Sequence, residues 1–222
     1  MIRIGVTGHR PHRLIVPERK LGARVEAVLE GLLRASGRQP RRRGATLDVV
    51  SPLAEGCDRI VARAALALDQ RLTVLLPFPQ RDYETTFAEA SASAVFRSLL
   101  RRAHACTNLG GSLKRANAGY VAVGMATLAC SDVVLTIWDG KPAAGRGGTP
   151  EILAAAIEWA IPVIWIDAVR DRRPVLLEAP RRSRSTPSLR SAVRRARPLT
   201  ERVLRDLAIQ LAGSTGGGTG RA

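Results

Sequence analysis

The chain has 222 residues, 45% apolar and 24% charged, with 35 Lys and Arg against 19 Asp and Glu and a net charge of +16. That length suits one full domain, able to bury a proper core without disulfide support. Three cysteines without a C-x-x-C, no His/Cys cluster, no apolar run near ~20 residues and the unsignal-like start MIRIGVTG lead to one expectation: a cytoplasmic protein with no metal, no cofactor and no membrane insertion.

The charge is uneven. Only Lys20, Lys114 and Lys141 are lysines; the other basic residues are Arg. From Arg170 onward there are 13 Arg and four acidic residues, a net +9, which leaves +7 on the first 169 residues. An excess of this kind suits an anionic partner, and most of it sits in a tail.

In chain order, residues 1–7 read as a buried strand ending at Gly8, followed by a helix opened by Pro17 with Leu21, Val25, Val28, Leu29, Leu32 and Leu33 at helical spacing. A basic loop at 38–44 leads to a second strand at 46–51 and an Ala-rich helix at 55–69. A third strand at 72–76 stops at Pro-Phe-Pro; 80–90 is irregular or one helical turn, and 91–103 is helical. A helix at 116–130 precedes a fourth strand at 132–138, which has no polar alternation and so is buried on both faces. A Gly-rich loop at 139–148, a helix at 149–160 with Thr149 as N-cap and Pro150 at its first turn, and a strand at 161–167 complete the alternation.

Strands alternating with helices, the strands apolar throughout, predict an α/β fold with a mostly parallel sheet covered on both faces. Its domain spans 1–167. Residues 168–198 read as a flexible basic linker, 199–212 as a docking helix with Leu199, Val203, Leu204, Leu207 and Leu211 at helical spacing, and 213–222 as a disordered tail.

Ligands of such sheets bind beyond the carboxyl ends of the strands, and three strand ends here carry unusual residues. The first is GVTGHR, where Gly5 and Gly8 allow backbone amides near an anion and Thr7, His9 and Arg10 add polar groups. The second is SPLAEGCDR, with Ser51, Glu55, Gly56 and Asp58; Gly56 opens a helix start to a phosphate, while Glu55 and Asp58 suit either a ribose or the helix dipole. The third is WDGKPAAGRGGTPE, where Asp139, Gly140, Arg146, Gly147, Gly148, Thr149 and Glu151 surround a helix start that forms a nest for phosphate or carboxylate. It is neither a Walker A loop nor a G-x-G-x-x-G. Tyr83 and Phe87 read as a packing pair or a cap, Asn117 and Tyr120 as candidates to face the cleft, and Trp138, Trp159 and Trp165 as core or edge residues.

GVTGHR, SPLAEGCDRIVA, LLPFPQRDYETTF and WDGKPAAGRGGTPEI, in this order over residues 2–167, resemble a bacterial member of the SLOG superfamily. That group holds the LOG and "lysine decarboxylase" proteins, the Smf proteins and the sensory region of TRPM channels. The resemblance implies a Rossmann-like three-layer sandwich, commonly dimeric, binding a nucleotide-derived ligand such as an ADP-ribose-like signal in a sensing or defence role. Its phosphate loop matches Gly147, Gly148 and Thr149. The alternative it implies is a nucleoside monophosphate phosphoribohydrolase, with Glu151 and Arg146 as the catalytic pair. The LOG glutamate falls three residues after the Thr, where this chain has Ile152, and Glu151 comes one residue early. A further alternative is nucleic-acid binding through the Arg-rich tail, which the sequence does not favour, since no aromatic residue follows Trp165.

Overall fold

A computed structural model describes residues 1–37, 47–141, 148–179 and 187–214. The basic loop at 38–44, Arg146 and Gly147, residues 180–186 and the last eight residues lie outside that set. The elements run β1 (Ile2–Gly8), α1 (Glu18–Ala35), β2 (Leu47–Ser51), α2 (Cys57–Ala67), β3 (Arg71–Leu76), α3 (Gln80–Glu84), α4 (Ala90–Arg101) and β4 (Ala105–Asn108). They continue as α5 (Ala116–Ala129), β5 (Val133–Trp138), α6 (Thr149–Glu158), β6 (Val163–Asp167), β7 (Val175–Leu177), α7 (Leu189–Arg194), β8 (Arg197–Pro198) and α8 (Glu201–Ser214).

The strands form one sheet in the order β4-β3-β2-β1-β5-β6-β7-β8. From β4 to β6 every pairing is parallel; β7 and β8 join antiparallel. The fold is the α/β, Rossmann-like three-layer arrangement expected. Its logic is visible in β5, where Val133, Leu135 and Ile137 enter one core and Val134 and Trp138 the other. A strand buried on both faces has no polar side to show, hence the unbroken VVLTIW. On one face α1 packs with α2 and α8; on the other α5 packs with α6, and α6 with α7.

Several boundaries shift for physical reasons. Gly148, not Thr149, is the N-cap of α6, because Thr149 already has helical geometry and Pro150 fixes the first turn. The helix read at 55–69 begins at Cys57, since Gly56 takes φ +91° as its N-cap. Residues 105–108 form β4, an edge strand with four exposed residues and no burial pattern to signal it. The stretch read as a linker carries β7, α7 and β8 among its described residues, and β7 pairs Ile164 with Leu176. Helix α8 buries Leu204, Leu207 and Leu211, and Leu204 meets α1 at Gly31.

The chain order places the site. Strands β2, β3 and β4 build outward from one side of β1, and β5 then pairs with the other side. Loops leaving β1 and β5 therefore diverge at their carboxyl ends, which opens a crevice there.

Candidate functional site

That crevice is a cleft of about 350 Å³, walled by Thr7–Arg10 and Arg13 after β1, by Pro52, Ala54 and Asp58 around the start of α2, and by Gly148–Pro150 at the start of α6. Tyr83 from α3 and Tyr120 from α5 close it.

The floor is stitched by backbone. His9 N–H donates to Ile137 O at 3.0 Å, and Cys57 N–H donates to His9 O at 3.0 Å. These bonds fasten the end of β1 to β5 and α2 at once. Gly8 is required by crowding: a Cβ there would sit 2.4 Å from Cys57 Sγ. The Cys57 thiol lies 3.6 Å from Thr7 O, and complete burial pushes its pKa well up, so it is a packing group in the floor.

His9 is 4% exposed, and its Nε2 lies 2.8 Å from Asp139 Oδ1 at the end of β5. The approach is close but poorly aligned with the N–H. Arg13 Nη2 donates to Asp139 Oδ2 at 2.5 Å, and Lys141 N–H donates to Oδ1 at 3.0 Å. Burial pushes the Asp139 carboxyl up, but His9, the Lys141 amide and Arg13 outweigh it and hold it at about 2. Burial draws His9 below its ordinary value against the pull of Asp139, so the imidazole is neutral at pH 7.

Asp58 is 4% exposed and accepts the Ala54 N–H at 3.1 Å. Burial raises its carboxyl to about 7, with the Ala54 amide, Ser51 and the nearby Arg10 and Arg59 limiting the rise. A carboxyl near 7 when folded and near 3.8 when unfolded binds its proton more tightly in the folded chain. The stability it contributes is therefore complete below the unfolded value and lost as pH rises through about 7. Urea unfolding at pH 5 and pH 8 should show a larger loss in wild type than in Asp58→Asn, the His9 contribution being common to both. Equal pH dependence in the two chains would contradict this.

Arg10 lies 3.6 Å from Glu55 Oε2, donates to Thr86 O at 3.4 Å and places its Cζ 6.0 Å from the Tyr120 ring centroid. Glu55 also accepts the Ala88 N–H at 3.2 Å, so it anchors the turn after α3. Tyr83 belongs to an edge-packed cluster with Phe87 at 5.1 Å and Phe96 at 5.8 Å, and Tyr120 packs on Phe78 at 5.4 Å. Burial pushes the Tyr83 phenol well up, so it stays a neutral donor.

Of the residues singled out from sequence, Thr7, Gly8, His9, Arg10, Asp58, Gly148 and Thr149 line this one cleft. Asp139 stands behind His9, while Gly56 supports the floor from below, its α-carbon too close to His9 O for a side chain. Others are placed elsewhere. Gly5 is inside β1, where a Cβ would meet Ser131 Oγ at 2.2 Å, and Ser51 is fully buried, its Oγ accepting the Leu53 N–H. Gly140 packs beside Trp165, and Glu151 lines a separate groove along α5 with Asn117. Arg146 and Gly147 lie outside the described residues. Arg13 was missed by sequence reading, because only its distance to Asp139, 126 positions away, gives it a role. Among the described residues no helix is long and apolar enough to cross a membrane.

No family model matches this chain, and no curated protein does. Two solved structures are similar to it. DNA processing protein A (DprA) from Streptococcus pneumoniae is 16% identical with a TM-score of 0.55, over 92% of this chain and 61% of that one. DNA processing protein A from Helicobacter pylori is 14% identical with a TM-score of 0.53, over 96% of this chain and 81% of that one. This chain thus spans less than two thirds of the Streptococcus pneumoniae protein. At such identities the likeness is one of fold, and the fold shared with these proteins is the Rossmann-like sheet and its helices.

Proposed function

We propose that this chain is a single-stranded nucleic-acid-binding module that holds backbone phosphate in the cleft above β1 and β5. The observation that carries this reading is a convergence in one cleft. The start of α6 supplies amides and the positive end of a helix dipole, Arg10 and Arg13 supply cations, and Tyr83 and Tyr120 supply aromatic rings. Aromatic residues are absent from the Arg-rich tail, but the fold brings two tyrosines from α3 and α5 to the cations instead. The fold neighbour from Helicobacter pylori is described by its mode of binding single-stranded DNA, and the net charge of +16 supports the same class of partner.

A second reading, a nucleotide-derived small molecule in the same place, draws on the size of the cleft. Its 350 Å³ lies within the range of small-ligand pockets, ~300–1,000 Å³. Phosphoribohydrolase chemistry through Glu151 has less support, since Glu151 lines the groove along α5.

Fluorescence anisotropy with a labelled oligothymidylate tests the main reading. Affinity should fall roughly tenfold or more between 50 and 200 mM salt. Tyr120→Ala should weaken binding by about 1–3 kcal/mol if a base stacks there, and Arg10→Ala by about 1 kcal/mol. No binding at 50 mM salt, or binding indifferent to both changes, would sink the proposal.

A further inference from the structure

The polar groups of the cleft are mostly donors: the amides at the start of α6, Arg10, Arg13 and the tyrosine hydroxyls. Such a lining suits phosphate oxygens, which only accept. His9 does not fit that pattern. Its ring is almost wholly buried in the cleft wall, with the Asp139 carboxylate 2.8 Å from Nε2. The carboxylate decides the tautomer even off the N–H axis, because a bare lone pair at that distance would be repelled by the oxygen. Nε2 therefore carries the proton and Nδ1 the lone pair. Arg13 and the Lys141 amide hold Asp139 in place, so the tautomer is held as well. The neighbouring acceptors are engaged: Asp58 takes the Ala54 amide, and Glu55 takes Ala88 N–H and faces Arg10.

A neutral imidazole acceptor among phosphate-directed donors repels a phosphate oxygen and needs a donor from the ligand. The donor that a nucleotide carries next to its phosphate is a sugar hydroxyl. We propose that the cleft selects a phosphorylated ribose over a deoxyribose, and that His9, set by Asp139, is the residue that reads the hydroxyl. This rests on the nucleotide-phosphate reading above and sharpens it, since it names ribonucleotides as the ligand class.

The hydroxyl has two sources, a ribonucleotide strand and a free ribonucleotide, and the experiment separates them. Anisotropy compares RNA and DNA oligomers of one sequence, uridine against deoxyuridine; calorimetry compares AMP with 2′-deoxy-AMP. Wild type should prefer the ribose form roughly fivefold, the worth of one neutral hydrogen bond. His9→Phe keeps a ring but no acceptor; it should remove the preference and leave the deoxy affinity within twofold. Asp139→Asn, which releases the tautomer, should reduce the preference and serves if the Phe variant does not fold. Binding of both sugars within twofold of each other overturns this inference while leaving the phosphate cleft standing. A preference unchanged in both variants also overturns it. A preference for AMP without strand binding supports the hydroxyl reading and removes the polymer. No binding by any of the four probes removes both.

Discussion

Gly56→Ala should lower stability by about 4 kcal/mol and Tm by roughly 10 °C. Gly56 sits at φ +91°, ψ −122°, a region open in practice to glycine alone. A Cβ there would stand 2.4 Å from His9 O and 3.0 Å from the Arg10 backbone. The carbonyl it strikes is the one that receives the Cys57 N–H, so relief of the clash breaks the bond fastening β1 to α2. Phosphate-ligand affinity should fall together with stability, because His9 and Arg10 move with that backbone. Urea unfolding monitored by circular dichroism measures the first effect and anisotropy the second. A loss below about 1 kcal/mol would show that the loop has slack not visible in its packing.

The second large effect concerns Arg59, a guanidinium only 5% exposed on α2. Its Nε donates to Leu53 O at 3.0 Å and its Nη1 to Ala92 O at 2.8 Å, and its Cζ stands 4.4 Å from the Phe87 ring centroid. One side chain thereby ties the loop after β2 to the start of α4. The loop needs tying, since Leu53 takes φ +58° with its side chain fully buried. Arg59→Ala removes two charge-assisted bonds, leaves two carbonyls without donors and opens a void beside Phe87. The expected loss is about 3 kcal/mol. Arg59→Lys should recover less than half of it, because a single ammonium does not span both carbonyls and lies less well on an aromatic face. Equal stability of the Lys variant and wild type would show that charge alone suffices there.

These two residues illustrate what a sequence conceals. Gly56 stood out as a glycine before a helix, a feature of many phosphate-binding turns, yet its use here is to let His9 O pass close by. Arg59 gave no signal, since a lone Arg on an amphipathic helix reads as solvent-facing. The aromatic group is similar. Tyr83 and Phe87 are four apart and legible as a pair, whereas their contacts with Phe96, and those of Phe78 with Tyr120, depend on how α3, α4 and α5 converge. The short strands escaped for another reason. β4, β7 and β8 have four, three and two residues, too few for a hydrophobic period, and they exist because the sheet offers them partners.

The sequence by itself determined the alternation of strands and helices, the burial of β5 on both faces and the edge of the sheet where special residues gather. Each follows from local pattern: period, turn residues and the absence of a polar face record how deeply a segment is buried. The tertiary structure alone decided which of those residues meet. His9 and Asp139 are 130 positions apart, and only the pairing of β1 with β5 puts a carboxylate behind the imidazole. Burial then decides the chemistry, holding His9 neutral and Asp58 protonated to near pH 7, because the charged form of each loses its water. A net charge of +16 announces an anionic partner; the arrangement of donors around one acceptor says which part of that partner is read.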